Sequence, residues 1–148
     1  VRGGWASEGR RFGGGPGLGG LETGQLVKWK EMIREGLIDD PVMIQLCMGI
    51  AYGAPDDPTT FMAMVNNLPN DCVFSGFSIS RMQLPFVAMA ALAGGNVRVG
   101  LEDNLYAGPK ELATNAMLVA RAKNILDNMN VRVMSAQAVR DKLQLVKS

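Results

Sequence analysis

The decapeptide PVMIQLCMGI, Pro41–Ile50, is a nearly unbroken apolar run of strand length. Such a run is what a strand covered on both faces requires, and that setting belongs to parallel sheets. Upstream, GQLVKWKEMIREG (24–36) places Leu26, Val27, Trp29, Met32 and Ile33 at helical spacing, with Gly36 as a stop. Downstream lies the turn-rich AYGAPDDPTT (51–60), where Asp57 and Pro58 supply an N-cap and first helical position for TTFMAMVNNL. CVFSGFSI (72–79) reads as a second strand, and SRMQLPFVAMAALAGG (80–95) as its helix. Ser80 is the expected cap of that helix and Gly94 or Gly95 its stop, although Pro85 then falls inside its first turns.

NVRVGLE (96–102) reads as a third strand. ELATNAMLVARAKNILDNMN (111–130) follows as an amphipathic helix with Leu112, Ala116, Val119, Ile125 and Met129 on one stripe. AQAVRDKLQL (136–145) gives a last short helix. Strands alternating with helices imply an α/β fold with a parallel sheet and right-handed crossovers. An open doubly wound sheet and a (β/α)8 TIM barrel both fit. A whole barrel takes about 250 residues, so the expected architecture on the second choice is a partial barrel. It would hold roughly the last three strand–helix units and a terminal helix, and three strands alone would leave two edges open.

Composition narrows the function classes. The 148 residues carry 15 basic and 14 acidic side chains, a net charge of +1, without the concentrated basic footprint of a nucleic-acid binder. No apolar run is long enough to span a bilayer, and no signal-peptide pattern opens the chain. Cys47 and Cys72 lie in apolar runs without CxxC spacing, as expected of reduced buried thiols in a cytoplasmic protein. The sequence has no histidine, which removes the commonest metal ligand and general base. Its opening, VRGGWASEGRRFGGGPGLGG (1–20), is glycine-rich and lacks apolar periodicity. Ordering so much glycine costs backbone entropy, so residues 1–20 are expected to be disordered or foreign to the fold, with 21–148 forming the domain. A phosphate-cradling glycine loop is disfavoured there, because no strand precedes it and no GK[ST] follows.

The third strand raises a chemical question, because a buried charge is costly unless paired or bound to a metal. Alternation puts Asn96, Arg98, Gly100 and Glu102 on one face and Val97, Val99 and Leu101 on the other, where helices would cover them. Gly100 leaves a gap between Arg98 and Glu102 with room for a ligand, and Asp103 follows at the strand end, where α/β folds build their sites. A solvated Glu-Asp pair beside a structural arginine is the plain alternative.

GGNVRVGLEDNLY, with ATNAMLVARA after it, resembles the C-terminal part of the β-keto acid cleavage enzymes, of which the 3-keto-5-aminohexanoate cleavage enzyme of lysine fermentation is the best known. The similarity runs from LETGQL (21–26) to AVRDKLQL (138–145). The resemblance implies a zinc-dependent (β/α)8 barrel that converts a β-keto acid and acetyl-CoA into acetoacetate and a new acyl-CoA. It implies Glu102 as a zinc ligand beside two histidines of an early strand, Asp103 as general base, and Arg98 as the partner of that base. Zinc would polarise the keto group so that the neighbouring carbon loses a proton near neutral pH. It also implies a homo-oligomer.

Ser78, Ser80 and Arg81 sit where a strand passes into a helix, a place where barrels often bind phosphate; Arg81 is read either as a contact to a CoA phosphate or, the plainer alternative, as a solvated arginine at a helix start. The loop Gly49–Pro55 is either a substrate mouth or a plain turn. The chain departs from the pattern in having no histidine for the zinc and no first half of the barrel. Two function classes therefore stand: a carbon–carbon cleavage transferase by ancestry, here a fragment inactive alone, and a non-catalytic α/β binding or scaffold module.

Overall fold

A computed structural model describes residues 17–38 and 41–143. Its centre is a four-stranded parallel sheet in the order β1-β2-β3-β4, formed by Gly17–Gly20, Met43–Met48, Val73–Ser78 and Asn96–Val97. The crossovers carry α1 (Thr23–Arg34), α2 (Pro58–Asn66) and α3 (Gln83–Leu92). After β4 comes a small antiparallel hairpin, β5 (Tyr106–Gly108) and β6 (Glu111–Leu112), then α4 (Asn115–Asn128) and α5 (Ala136–Lys142). The alternating α/β reading is thus correct. Among the described residues, no helix is long and apolar enough to cross a membrane.

The apolar period of the strands decides which face the helices cover. Ile44, Leu46 and Met48 pack with Phe61 and Met64 of α2 and Phe86 and Ala90 of α3, all essentially excluded from solvent. Phe61 and Phe86 meet edge to face, their centroids 5.3 Å apart. Gly76 permits this packing, because a Cβ there would lie 2.6 Å from the Phe61 ring. The opposite face, carrying Gln45, Cys47, Ser75 and Phe77, is where β4 contributes Arg98 just beyond its last paired residue.

Helix boundaries follow their chemistry. Asp57 caps α2, accepting from the Thr60 backbone N–H at 2.9 Å and from its hydroxyl at 2.6 Å, with Pro58 in the first position. Gly36 and Gly94 take positive φ just past α1 and α3, as expected of stops.

Several expectations change. Gly17–Gly20 is ordered as a strand paired with β2, so for these four residues the reading of a segment outside the fold does not hold. Glycine here allows close approach: a Cβ on Gly20 would sit 3.1 Å from Leu46 and 3.2 Å from Leu26. Residues 1–16 lie outside the described residues. Ser80 does not cap α3. It lies in a 3-10 turn, Ser80–Met82, with φ of 57°, and α3 begins at Gln83. Pro85 thereby falls in the first turn, where its missing N–H is harmless.

The third strand is only Asn96–Val97, and the chain then turns. The long helix starts at Asn115, capped by Thr114, because Glu111–Leu112 pairs in the hairpin instead. Its buried stripe is Leu118, Ala122 and Leu126; Leu112 and Val119 are exposed.

Gly76→Ala should destabilise the fold by about 1–3 kcal/mol, because the added methyl overpacks a buried ring; urea unfolding reads the difference. The Thr60 hydrogen bonds hold the Asp57 carboxyl below the ordinary aspartate value. That contribution is complete above the unfolded aspartate pKa and is lost as pH falls through the lowered folded value. Asp57→Asn should therefore flatten the melting temperature profile in that acidic window and leave its neutral part nearly level.

Candidate active site

The site is organised where β4 ends. After Val97 the chain passes Arg98 and Val99, then folds into a tight turn in which Asp103 and Asn104 donate their N–H groups to the Gly100 carbonyl at 3.2 and 3.1 Å. Three side chains and backbone groups from other elements fix this turn. Gln83 of α3, fully buried, donates to the Gly100 carbonyl at 2.9 Å. Asn115 of α4 accepts from the Leu101 N–H at 2.9 Å. The Ser80 N–H donates to the Asp103 carbonyl at 2.6 Å. Val97 and Val99 pack toward Val87, Ala122 and Leu126, as the alternation predicts.

The turn carries Asp103 back onto Arg98. Nε of Arg98 donates to Oδ2 of Asp103 at 2.9 Å and Nη2 to Oδ1 at 3.0 Å, a two-pronged pair in which the Asp103 side chain is only 7 % exposed. Nη1 of Arg98 donates to Gln45 at 3.1 Å, and the guanidinium lies 4.3 Å over the Phe77 ring. Burial works against the Arg98 charge, but the hydrogen bonds and charges of Asp103 and Glu102 more than restore it, raising its pKa above the ordinary arginine value. Cys47 lies nearby with its thiol pushed up by burial and then by the Asp103 and Glu102 carboxylates, Arg98 partly offsetting them. Cys47 and Cys72 are both free.

Each residue singled out from sequence has a definite place. Arg98 and Asp103 are joined directly. Glu102 also reaches Arg98, at 2.9 Å, but its side chain is 83 % exposed, so of the adjacent carboxylates the second is the enclosed one. The room anticipated beside Gly100 is taken by Asn115, whose Oδ1 would lie 3.3 Å from an added Cβ. Ser78 is buried at the end of β3 and donates to Asp56 at 3.2 Å, apart from the Arg98 pair. Ser80 supports the Asp103 turn through its backbone, and Arg81 lines a cleft beside it.

Gln45, Phe77, Gln83 and Asn115 were not singled out from sequence. Gln45 alone had a legible signal, a polar residue out of phase with Ile44 and Leu46 in an apolar strand. Among the described residues no group of three or more potential metal ligands occurs. A catalytic zinc takes three protein ligands, so these residues do not fit one by themselves.

Arg98→Gln should cost about 1–3 kcal/mol, chiefly by leaving an enclosed carboxylate without its donors. In a double-mutant cycle with Asp103→Asn, the combined loss should fall clearly below the sum of the single losses. Additive losses in denaturant unfolding would show that the pair is not an energetic unit.

Comparison with known proteins gives the chain its family. The family model for beta-keto acid cleavage enzyme matches residues 10–145. A 3-dehydrocarnitine:acetyl-CoA trimethylamine transferase of Rhizobium meliloti is 54% identical over 132 residues, covering 89% of this chain and 44% of the relative. A 3-keto-5-aminohexanoate cleavage enzyme of Acetoanaerobium sticklandii is 33% identical over 75 residues, covering 51% of this chain and 28% of the relative. A 3,5-dioxohexanoate:acetyl-CoA acetone transferase of Paraburkholderia graminis is 26% identical over 129 residues, covering 84% and 42%. The chain thus spans less than half the length of these relatives. With a match running through all four parallel strands, the Arg98–Asp103 turn and both last helices, the chain belongs to the beta-keto acid cleavage enzyme family.

Proposed function

We propose that this chain contributes the C-terminal half of a (β/α)8 barrel that exchanges acyl groups between a β-keto acid and acetyl-CoA. The observation that carries the reading is the Asp103 carboxylate, enclosed at the C-terminal end of a parallel sheet and oriented on two oxygens by Arg98. A carboxylate held in this way suits a general base, since its orientation is fixed before substrate arrives. On this reading Asp103 removes a proton from the carbon between the keto and carboxylate groups. The carbanion attacks the thioester carbonyl, forming a carbon–carbon bond and releasing the CoA thiolate. The thiolate then attacks the original keto carbon, and the bond to the central carbon breaks. Acetoacetate departs with the Asp103 proton returned to it, and the remaining acyl group leaves on CoA.

Glu102, facing solvent, would supply one oxygen to a zinc centre, but the sequence holds no histidine to accompany it. The further ligands would have to come from outside these 148 residues, and no step above depends on them. The open edges of the sheet at β1 and β4, among the described residues, support completion by further strands and association into a homo-oligomer. Two free cysteines are in keeping with a cytoplasmic setting. The name of the Rhizobium meliloti relative makes 3-dehydrocarnitine the first β-keto acid to test. A second reading, a non-catalytic α/β module, is favoured by the missing histidines.

Complementation separates the two. The chain alone should form no acetoacetate from 3-dehydrocarnitine and acetyl-CoA. Mixed with the unmatched N-terminal part of the Rhizobium meliloti relative, it should do so. Asp103→Asn should then lower kcat by about 10²–10⁴. Product formation indifferent to Asp103→Asn would remove the proposed base; its absence in every mixture would favour the non-catalytic module.

A further inference from the structure

Among the described residues, Gln83 carries the one buried side-chain polar atom without a hydrogen-bond partner, its Oε1. Gln83 is fully buried, and it is the only polar side chain of α3, whose remaining residues are apolar. A buried amide left half satisfied is a poor stabiliser, because the enclosed oxygen has given up water and received nothing in return. For stability alone, a methionine or leucine would fill the position as well.

The amide instead acts on the loop above it. Its Nε2 donates to the Gly100 carbonyl at 2.9 Å; the reverse orientation would set oxygen against oxygen, so the nitrogen faces the turn. The same carbonyl accepts the Asp103 and Asn104 N–H groups at 3.2 and 3.1 Å, the two bonds that close the turn. Gly100 has no side chain with which to anchor its own peptide, and glycine has the widest backbone freedom. Ser80, at a strained φ of 57°, donates its N–H to the Asp103 carbonyl at 2.6 Å. One short segment, Ser80–Gln83, thus grips the turn at both Gly100 and Asp103. Without the Gln83 donor the Gly100 carbonyl would still accept from Asp103 and Asn104, so no buried group would be orphaned. Only the tie between α3 and the turn would go. We infer that Gln83 is a positioning residue for the Asp103 carboxylate: through the Gly100 carbonyl it fixes the turn that holds this carboxylate on Nε and Nη2 of Arg98. For turnover the inference rests on the proposed base role of Asp103; for the geometry of the pair it rests on hydrogen bonds alone.

Gln83→Met and Gln83→Leu test it, since both fill the space without an amide. Hydrogen exchange followed by NMR on this chain is the first readout. The Arg98 Nε–H and the Asp103 and Asn104 amides should exchange roughly tenfold faster or more in both variants, while the core amides of Leu46 and Phe77 and the Tm stay unchanged. In the complemented enzyme kcat should fall roughly tenfold or more, with KM for both substrates within about twofold of the parent value. A lowered Tm in both variants, with core amides exchanging faster alongside, would mark a merely structural amide and overturn the assignment. So would unaltered exchange at Arg98 and Asp103 in the folded variants, or a raised KM with kcat unchanged. Turnover in the complemented enzyme that depends on Asp103 but not on Gln83 would remove the positioning and leave the acyl exchange. Faster exchange confined to the pair and its turn, without turnover in any mixture, would keep the positioning and remove the acyl exchange.

Discussion

The local structure at the end of the sheet depends on one ion pair. Arg98 emerges from β4 on the face away from the helices, where its charge must be compensated or exposed. The chain compensates it by ending the strand early and turning so that Asp103, five residues on, returns to grip the guanidinium at both Nε and Nη2. Gln45 takes a third N–H and the Phe77 ring covers the plane. An arginine satisfied on its edge and its face has little freedom left, and neither has the carboxylate it holds. Removing one partner of such a pair costs more than the pair itself contributes, because the other remains enclosed.

The turn is held from three directions, by Gln83, Asn115 and the Ser80 N–H. Each comes from an element whose place is set by the apolar core, so burial of Phe61, Phe86 and Leu118 positions a polar site with which none of them is in contact through a polar group. This is how a scaffold of hydrophobic contacts specifies a chemical geometry: the core fixes helices, and single amides on those helices fix the backbone of a loop.

What was legible in the sequence follows from the range of the forces involved. Strand identity in Met43–Met48 and Val73–Ser78, the Asp57 cap and the glycine stops are local effects, and each stands where its residues indicate. The two faces of Asn96–Val99 were also readable, because alternation needs only neighbours. Gly17–Gly20 was not, since its order comes from pairing with β2 and from the approach of Leu26 and Leu46, both distant in sequence. The hairpin carried a local signal, Gly108–Pro109–Lys110, that the helical periodicity of the following residues obscured. The relative enclosure of Glu102 and Asp103 could not be read from alternation, because alternation ends where the strand does.

That difference in enclosure gives two adjacent carboxylates different physical properties. Asp103, nearly shielded, is satisfied by donors within the chain and has one fixed orientation, which suits transfer of a proton along a defined line. Glu102 touches the same arginine but keeps most of its side chain in water. An exposed carboxylate needs no buried partner to exist and can be recruited at low cost by a group that arrives from elsewhere. Turn geometry and contact with water, rather than residue type, thus separate two carboxylates one position apart. The same turn that encloses Asp103 ends at Asn104, which lines the cleft that Arg81 also borders, so one short backbone segment sets both the ion pair and that wall.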